Sequence, residues 1–196
     1  MQLRPVCNGS WPDWASSPHP LPGVRHTVTS LQRLVIYAGA MTDSIANTEK
    51  GRLLGDYEPS TWEWVRDQVE TYEASNGAEA NTLRDSGIPI IVFTTRGRKS
   101  GKLRKVPLMR VEHNGDYALI ASKGGAPEHP GWFHNLMADA VISMQDGPEP
   151  FLARAELVSG EERQQWWDRG VEVFPTYAEY AEKTDRDIPV FVTRRL

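Results

Sequence analysis

The sequence contains a single cysteine, Cys7, which excludes a fold held together by internal disulfides and a fold held by a zinc–thiolate cluster. One thiol cannot form an internal disulfide, and it cannot build the thiolate cluster of a structural zinc site. No apolar run approaches the roughly 18 residues that a membrane-spanning helix needs. His129 and His134 lack the i, i+4 spacing of a helical metal pair. We therefore expect a cytoplasmic protein without a metal site.

The chain also lacks an excess of positive charge. Its 26 acidic residues outnumber its 22 basic residues, which gives a formal net charge of −4. Domains that bind nucleic acid are usually strongly basic, so nucleic acid is not an expected partner. The G-x-S-x-G motif is absent as well, so an α/β-hydrolase is not supported.

Positive charge is nevertheless concentrated in one short turn between two predicted strands. Six of the ten residues from 96 to 105 are arginine or lysine, and Gly97 and Gly101 punctuate the stretch. Such a concentration on a net acidic protein predicts a local anion site. We expect backbone N–H groups from Gly97 to Gly101, with Arg98, Lys99 and Arg104, to hold a phosphate-bearing tail. A solvated hairpin tip without a ligand explains the same composition.

This turn does not match a Walker-type nucleotide loop. The spacing from Gly97 to Gly101-Lys102 is one residue short, and Leu103 stands where a Mg²⁺-binding hydroxyl belongs. A strand, not a helix, is predicted to follow.

A second glycine-bearing loop, residues 122–126, follows one hairpin later. Its two consecutive glycines allow the backbone to approach a planar ligand closely. The position of this loop suggests that it faces the same cleft as the basic turn, and an ordinary loop is the alternative.

Hydrophobic periodicity predicts a mainly antiparallel α+β fold. Ser60, Ser159 and Thr176 each precede an apolar helical pattern and have a glutamate three residues on, which predicts capping boxes. His113-Asn114-Gly115-Asp116 is a hairpin signal. The predicted strands cover residues 88–95, 103–111, 117–122, 140–145, 151–158 and 188–193, and a further helix covers 130–138. Because hairpins connect most strands, we expect a curled barrel with flanking helices.

The first 40 residues differ from the rest. Trp11-Pro12-Asp13-Trp14 and Pro20-Leu21-Pro22-Gly23 supply turns without periodicity, which predicts a disordered or non-native extension. We expect translation to start at Met41, and an extension docked on a surface is the alternative. We expect residues 41–87 to form a leader and an amphipathic helix, and residues 88–196 to form the barrel domain. Residues 185–187, an acidic run interrupted by Arg186, are expected to form a solvated loop.

Several short motifs follow one another in order between residues 88 and 192. They are residues 94–101, 122–126, 130–132, 175–177 and 184–186, with Arg104, Pro107-Leu108, Asn135-Leu136 and Tyr180 between them. This ordered set resembles the deazaflavin-dependent nitroreductases and quinone reductases of actinobacteria. That family has a split β-barrel fold, similar to FMN-binding barrels, and uses the 8-hydroxy-5-deazaflavin coenzyme F-420. The resemblance implies that residues 88–196 form a deazaflavin-binding domain.

The resemblance also implies which residues hold the coenzyme. The phosphate and glutamyl tail is assigned to Arg98, Lys99, Ser100, Gly101 and Arg104. The ring system is assigned to Ser122, Lys123, Gly124, Gly125 and Ala126. Pro107 and Trp132 complete the implied coenzyme site, although Trp132 also fits a core position.

Two tyrosines, Tyr177 and Tyr180, resemble family residues that border the acceptor pocket, where a phenol can hydrogen-bond a quinone or nitro oxygen. Packing along one apolar helical edge with Phe174 explains the same spacing. Phe174 and Met109 stand where nitroreductase relatives carry aromatic hydroxyls, so quinone or enone reduction is favoured over nitroimidazole reduction.

The resemblance therefore implies an enzyme that transfers hydride from reduced coenzyme F-420 to a quinone, enone or nitroaromatic. An FMN-binding reductase with the same barrel and a non-catalytic deazaflavin-binding protein are the alternatives. Peripheral contact with the inner face of the plasma membrane stays open, because lipid quinones belong to this acceptor class. A helix that simply packs on the sheet explains the amphipathic pattern equally.

Overall fold

The computed structural model describes residues 48–196 of the chain. The expectations for residues 1–40 and for a start at Met41 lie outside the described residues. The described part contains nine strands and four α-helices. The strands are β1 (Thr48–Glu49), β2 (Arg52–Leu53), β3 (Ile90–Arg96), β4 (Leu103–Met109), β5 (Val111–His113), β6 (Asp116–Ile120), β7 (Val141–Gln145), β8 (Pro150–Leu157) and β9 (Val190–Arg195). The helices are α1 (Glu63–Ala74), α2 (Gly131–Ala138), α3 (Gly160–Val173) and α4 (Thr176–Glu182).

Seven strands form one sheet in the order β4-β3-β7-β8-β9-β6-β5, and every neighbouring pair is antiparallel. The two edge strands, β4 and β5, are consecutive in the chain and are separated by Arg110 alone. One residue can join opposite edges of a sheet only if the sheet curls round on itself. The predicted antiparallel α+β barrel is confirmed.

The prediction of one continuous strand over residues 103–111 is wrong. The chain bends at Arg110, whose Nε donates to Asp146 Oδ2 at 2.7 Å and whose N–H donates to the Pro89 carbonyl at 2.8 Å. Apolar and polar residues continue to alternate through this bend, so periodicity alone cannot reveal it.

The barrel interior is one apolar cluster to which five strands contribute. Phe93, Leu119, Ile142 and Phe191 come from β3, β6, β7 and β9 and are each at most 1% exposed. Helix α2 covers this cluster, since the Trp132 ring meets the Phe93 ring edge-on at 5.4 Å. Burial of each such side chain contributes roughly 1.5–3 kcal/mol, so the interior fixes both the sheet and α2.

The helices lie outside the barrel, and their starts differ in part from the prediction. Helix α1 begins at Glu63 with Trp62 as its N-cap, and the Ser60 hydroxyl accepts a bond from the Trp62 N–H at 3.2 Å. The capping box at Ser60 is therefore wrong, because that hydroxyl stabilises the turn before the helix. Ser159 is the N-cap of α3 and Pro175 that of α4, with no capping bond from a side chain at either.

Candidate functional site

A groove of about 640 Å³ lies between the basic turn, strand β4, the start of α2 and residues 58–61. Its size falls within the roughly 300–1,000 Å³ typical of small-molecule sites. The lining consists of Glu58, Ser60, Thr61, Gly97, Arg98, Lys99, Ser100, Arg104, Lys105, Val106, Gly131, Trp132, His134 and Asn135. Five of the predicted site residues therefore meet in one place: Arg98, Lys99, Ser100, Arg104 and Trp132.

The basic turn is a closed hairpin whose backbone donors are largely used within the protein. The Gly97 N–H donates to the Lys102 carbonyl at 2.8 Å, and the Gly101 N–H donates to the Gly97 carbonyl at 2.8 Å. The Arg98 N–H donates to Asn135 Oδ1 in α2 at 3.1 Å. The expectation that these three amides would bind an anion is therefore wrong, because the turn and α2 already satisfy them. The side chains and the amides of Lys99 and Ser100 are left as donors at the groove.

Four cations line the groove against one carboxylate. Within residues 48–196, neither Arg98 nor Lys99 forms a salt bridge. Arg104 is 2.7 Å from Glu58 Oε2, and Lys105 pairs with Glu73 on α1. This excess of positive charge, open to solvent at Arg98 and Lys99, suits a ligand that carries several negative charges.

The same groove has an apolar wall. Val106 and Trp132 both line the groove and pack against the barrel interior. Val106 follows Arg104 by two residues on the same face of β4, which places it roughly 7 Å farther along the strand. Pro107 points to the opposite face and Gly101 lies at the hairpin tip, and neither is in the groove lining. The groove thus combines a cationic part with an aromatic and aliphatic part.

The second glycine loop lies apart from this lining, since none of residues 122–126 contributes to it. Residues 123–125 form a single 3₁₀ turn, with Ser122 and Gly125 buried and Lys123 paired with Glu128 at 3.2 Å. Gly125 has φ +80°, and a Cβ there would lie 2.8 Å from the Tyr180 carbonyl oxygen. Only glycine therefore allows α4 to approach this loop so closely.

Arg186 holds the second glycine loop in place. Its Nε donates to the Ala126 carbonyl at 2.8 Å, and its Nη2 donates to the carbonyls of Ser122 at 2.8 Å and Ala121 at 3.1 Å. Its Nη1 lies 3.1 Å from His129 Nδ1. The predicted solvated loop at residues 185–187 is thus wrong at Arg186, because this guanidinium binds three loop carbonyls.

The two candidate acceptor tyrosines lie on α4 beside that loop and do not line the groove. Tyr177 is 1% exposed and meets the Phe174 ring edge-on at 5.1 Å. Burial raises the pKa of the Tyr177 hydroxyl, and nearby Tyr180 adds to the effect. Tyr180 is half-buried, and its ring lies 5.3 Å from Lys183 Nζ.

Sequence reasoning assigned no role to four residues at or near the site: Glu58, His134, Asn135 and Arg186. Asn135 and Arg186 stand inside motifs that carry the resemblance, so their position was a signal, although their role was not. Glu58 and Arg104 are 46 positions apart, and no local pattern connects them. Within the described residues, no group of three His, Cys, Asp or Glu side chains is placed to hold a metal ion.

The model of the F420H(2)-dependent quinone reductase family matches residues 64–195. The chain belongs to this family. The family is F420H(2)-dependent, so the coenzyme expected from the motifs is confirmed as its cofactor. The match includes the basic turn, strand β4, the second glycine loop, α2 and α4, which together hold all the predicted site residues.

Individual relatives agree with the family match. An F420H(2)-dependent quinone reductase of Mycobacterium tuberculosis is 30% identical over 127 residues, which cover 63% of this chain and 85% of that protein. The solved structure of an F420-H2 dependent reductase is 55% identical, with a TM-score of 0.52, and covers 54% of this chain and 94% of its own. A structure described as a domain-swapped dimer is 48% identical, with a TM-score of 0.55, and covers 69% of this chain and 100% of its own.

Proposed function

We propose that this chain binds reduced coenzyme F-420 in the groove beside the basic turn and uses it to reduce a quinone. Enones and nitroaromatics belong to the same proposal as further acceptors. The observation that supports it is the combination of four cations with Val106 and Trp132 in one groove. The coenzyme has the matching shape, a polyanionic tail joined to a flat ring system.

The tail is assigned to the cationic part of the groove. Arg98 and Lys99 are exposed and have no carboxylate partner among residues 48–196, so a phosphate or a glutamyl carboxylate can bind them without displacing a salt bridge. Each charge-assisted hydrogen bond contributes roughly 1.5–3 kcal/mol when it is shielded from water. Ser100 and Arg104 complete this part of the proposed site.

The ring system is assigned to the apolar wall of Val106 and Trp132 and, from the family likeness, to the second glycine loop. When bound, the reduced coenzyme supplies the hydride. The role of the protein is to orient the ring and to exclude water around it. The hydrogen bonds from the Arg186 guanidinium to the carbonyls of Ala121, Ser122 and Ala126, here called the Arg186 clamp, support this assignment. A loop fixed at three carbonyls presents its backbone to a ligand in one geometry.

The acceptor is assigned to the surface beside Tyr180. Its half-buried phenol can donate a hydrogen bond to an acceptor oxygen and stabilise the negative charge that develops there. Tyr177 is buried, and its ring lies 6.4 Å from that of Tyr180, so we assign it to positioning Tyr180. Phe174 supplies no hydroxyl, which favours quinone and enone acceptors over nitroimidazoles.

Contact with a membrane stays a prediction. Among residues 48–196 no helix has the length and apolar character to cross a bilayer. Trp62 is 64% exposed and Trp64 36% exposed at the start of α1, next to the groove wall at Thr61.

The function is tested by mixing purified protein with the reduced coenzyme and menadione and following the return of the oxidised chromophore. We expect protein-dependent oxidation that saturates with menadione. A parallel reaction with NADPH and FMN tests the flavin alternative. Turnover in the flavin reaction alone would overturn the proposal, and tight coenzyme binding without turnover of any acceptor would favour a carrier protein.

A further inference from the structure

The segment just before α1 is bound to the edge of the barrel and forms one wall of the groove. The Leu103 N–H donates to the Asp56 carbonyl at 2.7 Å, and the Glu58 N–H donates to the Leu103 carbonyl at 3.0 Å. Through these bonds the segment pairs in parallel with the start of the edge strand β4, with Tyr57 opposite Leu103. They fix the backbone of Glu58 directly beside the first residues of β4.

This placement directs one carboxylate into the cationic part of the groove. Glu58 Oε2 lies 2.7 Å from Arg104 Nη2 and 4.0 Å from Lys102 Nζ. Glu58 is the one acidic residue in the groove lining, which lies wholly within the described part of the chain. Its carboxylate therefore occupies the Nη2 donor of Arg104, an arginine that the proposed function assigns to the anionic tail of the coenzyme.

We propose that Glu58 is an internal anion that competes with the coenzyme tail for Arg104. This inference rests on the proposed function and deepens it by naming a residue that sets the affinity and the charge requirement of the site. A ligand must offer Arg104 more than a single carboxylate offers, so Glu58 discriminates against weakly charged molecules. A tail with several negative charges displaces it.

The Glu58–Arg104 ion pair is exposed to solvent, which allows the coenzyme tail to replace Glu58 at Arg104. The side chains of Glu58 and Arg104 are 41% and 35% exposed, so water screens their attraction. Ion pairs of this exposure stabilise a protein only weakly, and their partners separate at little cost. Removing the Glu58 charge should tighten binding of a polyanion about three- to tenfold, because the competition and the repulsion both disappear.

If Glu58 instead positions Arg104 for the ligand, the expected change in affinity has the opposite sign. If the carboxylate served to hold Arg104 in the geometry that binds the ligand, its removal would weaken binding. The direction of the change therefore separates the two roles.

The experiment measures equilibrium binding of the oxidised coenzyme by fluorescence titration, with no turnover involved. Glu58→Gln keeps the length of the side chain and the backbone bonds to Leu103. Glu161→Gln is the matched control, because it changes the net charge equally on helix α3, outside the groove lining. The deazaflavin ring compound without its phosphate and glutamyl tail is the second ligand. Glu58→Ala is titrated alongside, and thermal melts check that each variant folds.

The expected result is that both Glu58 variants bind the full coenzyme more tightly, while the ring compound and the Glu161 control are unchanged. Unchanged or weakened binding of the full coenzyme by the Glu58 variants would overturn the inference and leave the proposed function intact. Equal tightening of both ligands would also overturn it, since Glu58 would then act outside the tail site. Failure of the unaltered protein to bind the coenzyme would overturn the proposed function itself.

Discussion

Replacement of Arg186 by methionine tests whether one side chain holds the second glycine loop. Methionine keeps most of the apolar stem and removes every donor. Three backbone carbonyls at the second glycine loop, those of Ala121, Ser122 and Ala126, then lose hydrogen bonds of 3.1, 2.8 and 2.8 Å, and the neighbouring Asp187 carbonyl loses a longer one of 3.4 Å. Burial lowers the pKa of the Arg186 guanidinium, although it remains charged at neutral pH.

The magnitude follows from these contacts. A shielded bond to a charged donor contributes roughly 1.5–3 kcal/mol, but the Arg186 side chain is partly exposed, so we take about 1 kcal/mol for each of the three bonds. The free energy of unfolding should then fall by about 3 kcal/mol. In a chain of this size each kcal/mol corresponds to roughly 2–4 °C, which predicts a decrease in Tm of about 6–12 °C.

The assay is a thermal melt, repeated as a urea titration, with Arg169→Met as the matched control. The Arg169 variant loses the same charge at a partly exposed position, and the lost contact of the guanidinium with the Trp166 ring, at 5.1 Å, contributes about 1 kcal/mol. A Tm decrease no larger than that of the control would refute the clamp. A full decrease in Tm with unchanged coenzyme affinity would show that the loop is structural and does not form the ring site.

Three further predictions concern the groove and the clamp. Lys99→Glu should weaken coenzyme binding at least tenfold in a fluorescence titration, because a charge-assisted contact becomes a repulsion. Asn135→Ala should weaken it severalfold, since the Arg98 N–H loses its acceptor at 3.1 Å and the turn loses its attachment to α2. Burial, Arg186 and His134 lower the pKa of His129 below its ordinary 6.5, so the fold favours the neutral ring. The contribution of His129 is therefore complete above about pH 6.5 and lost as the pH falls further, and Tm should decrease less steeply with acid in His129→Gln.

Each of these predictions has an outcome that would contradict it. An unchanged dissociation constant for the Lys99 variant would show that the basic turn is not the tail site. A large loss of Tm in the Asn135 variant would assign its effect to folding and not to the turn. If Tm falls equally between pH 7.5 and 5.5 in the unaltered protein and in His129→Gln, protonation of His129 does not lower stability.

The sequence was most informative where structure is local. The hairpin at residues 113–116 follows directly from its turn residues, since Asn114 and Gly115 adopt φ values of +55° and +85°, as a type I′ turn requires. The basic turn was recognised for a similar reason, because its charges are adjacent in the chain. The bond from the Arg98 N–H to α2 was not recognised, since it depends on Asn135 in another element.

Long-range contacts were beyond sequence reasoning. The bend at Arg110 is held by Asp146, 36 positions later, and the alternating pattern of β4 and β5 is the same with or without it. The clamp at Arg186 binds carbonyls about 60 positions earlier. Arg110 was expected inside a continuous strand and Arg186 in a solvated loop, and only the folded chain brings their partners to them.

The position of the site on β4 follows from the way the sheet curls. Joining the sheet through Arg110 leaves β4 as an edge strand, and Arg104 to Met109 are only partly buried along its length. An exposed edge invites pairing with another chain, and arginine and lysine side chains are a common defence against such pairing. Here the same cations face a groove with an apolar wall, so the proposed function assigns protection of the edge and recognition of an anion to one set of residues. The segment at Tyr57 pairs with the start of this edge and brings Glu58 onto Arg104. If charge on β4 served only to protect the edge, neutralising Arg104 would change association between chains and leave coenzyme affinity unaltered.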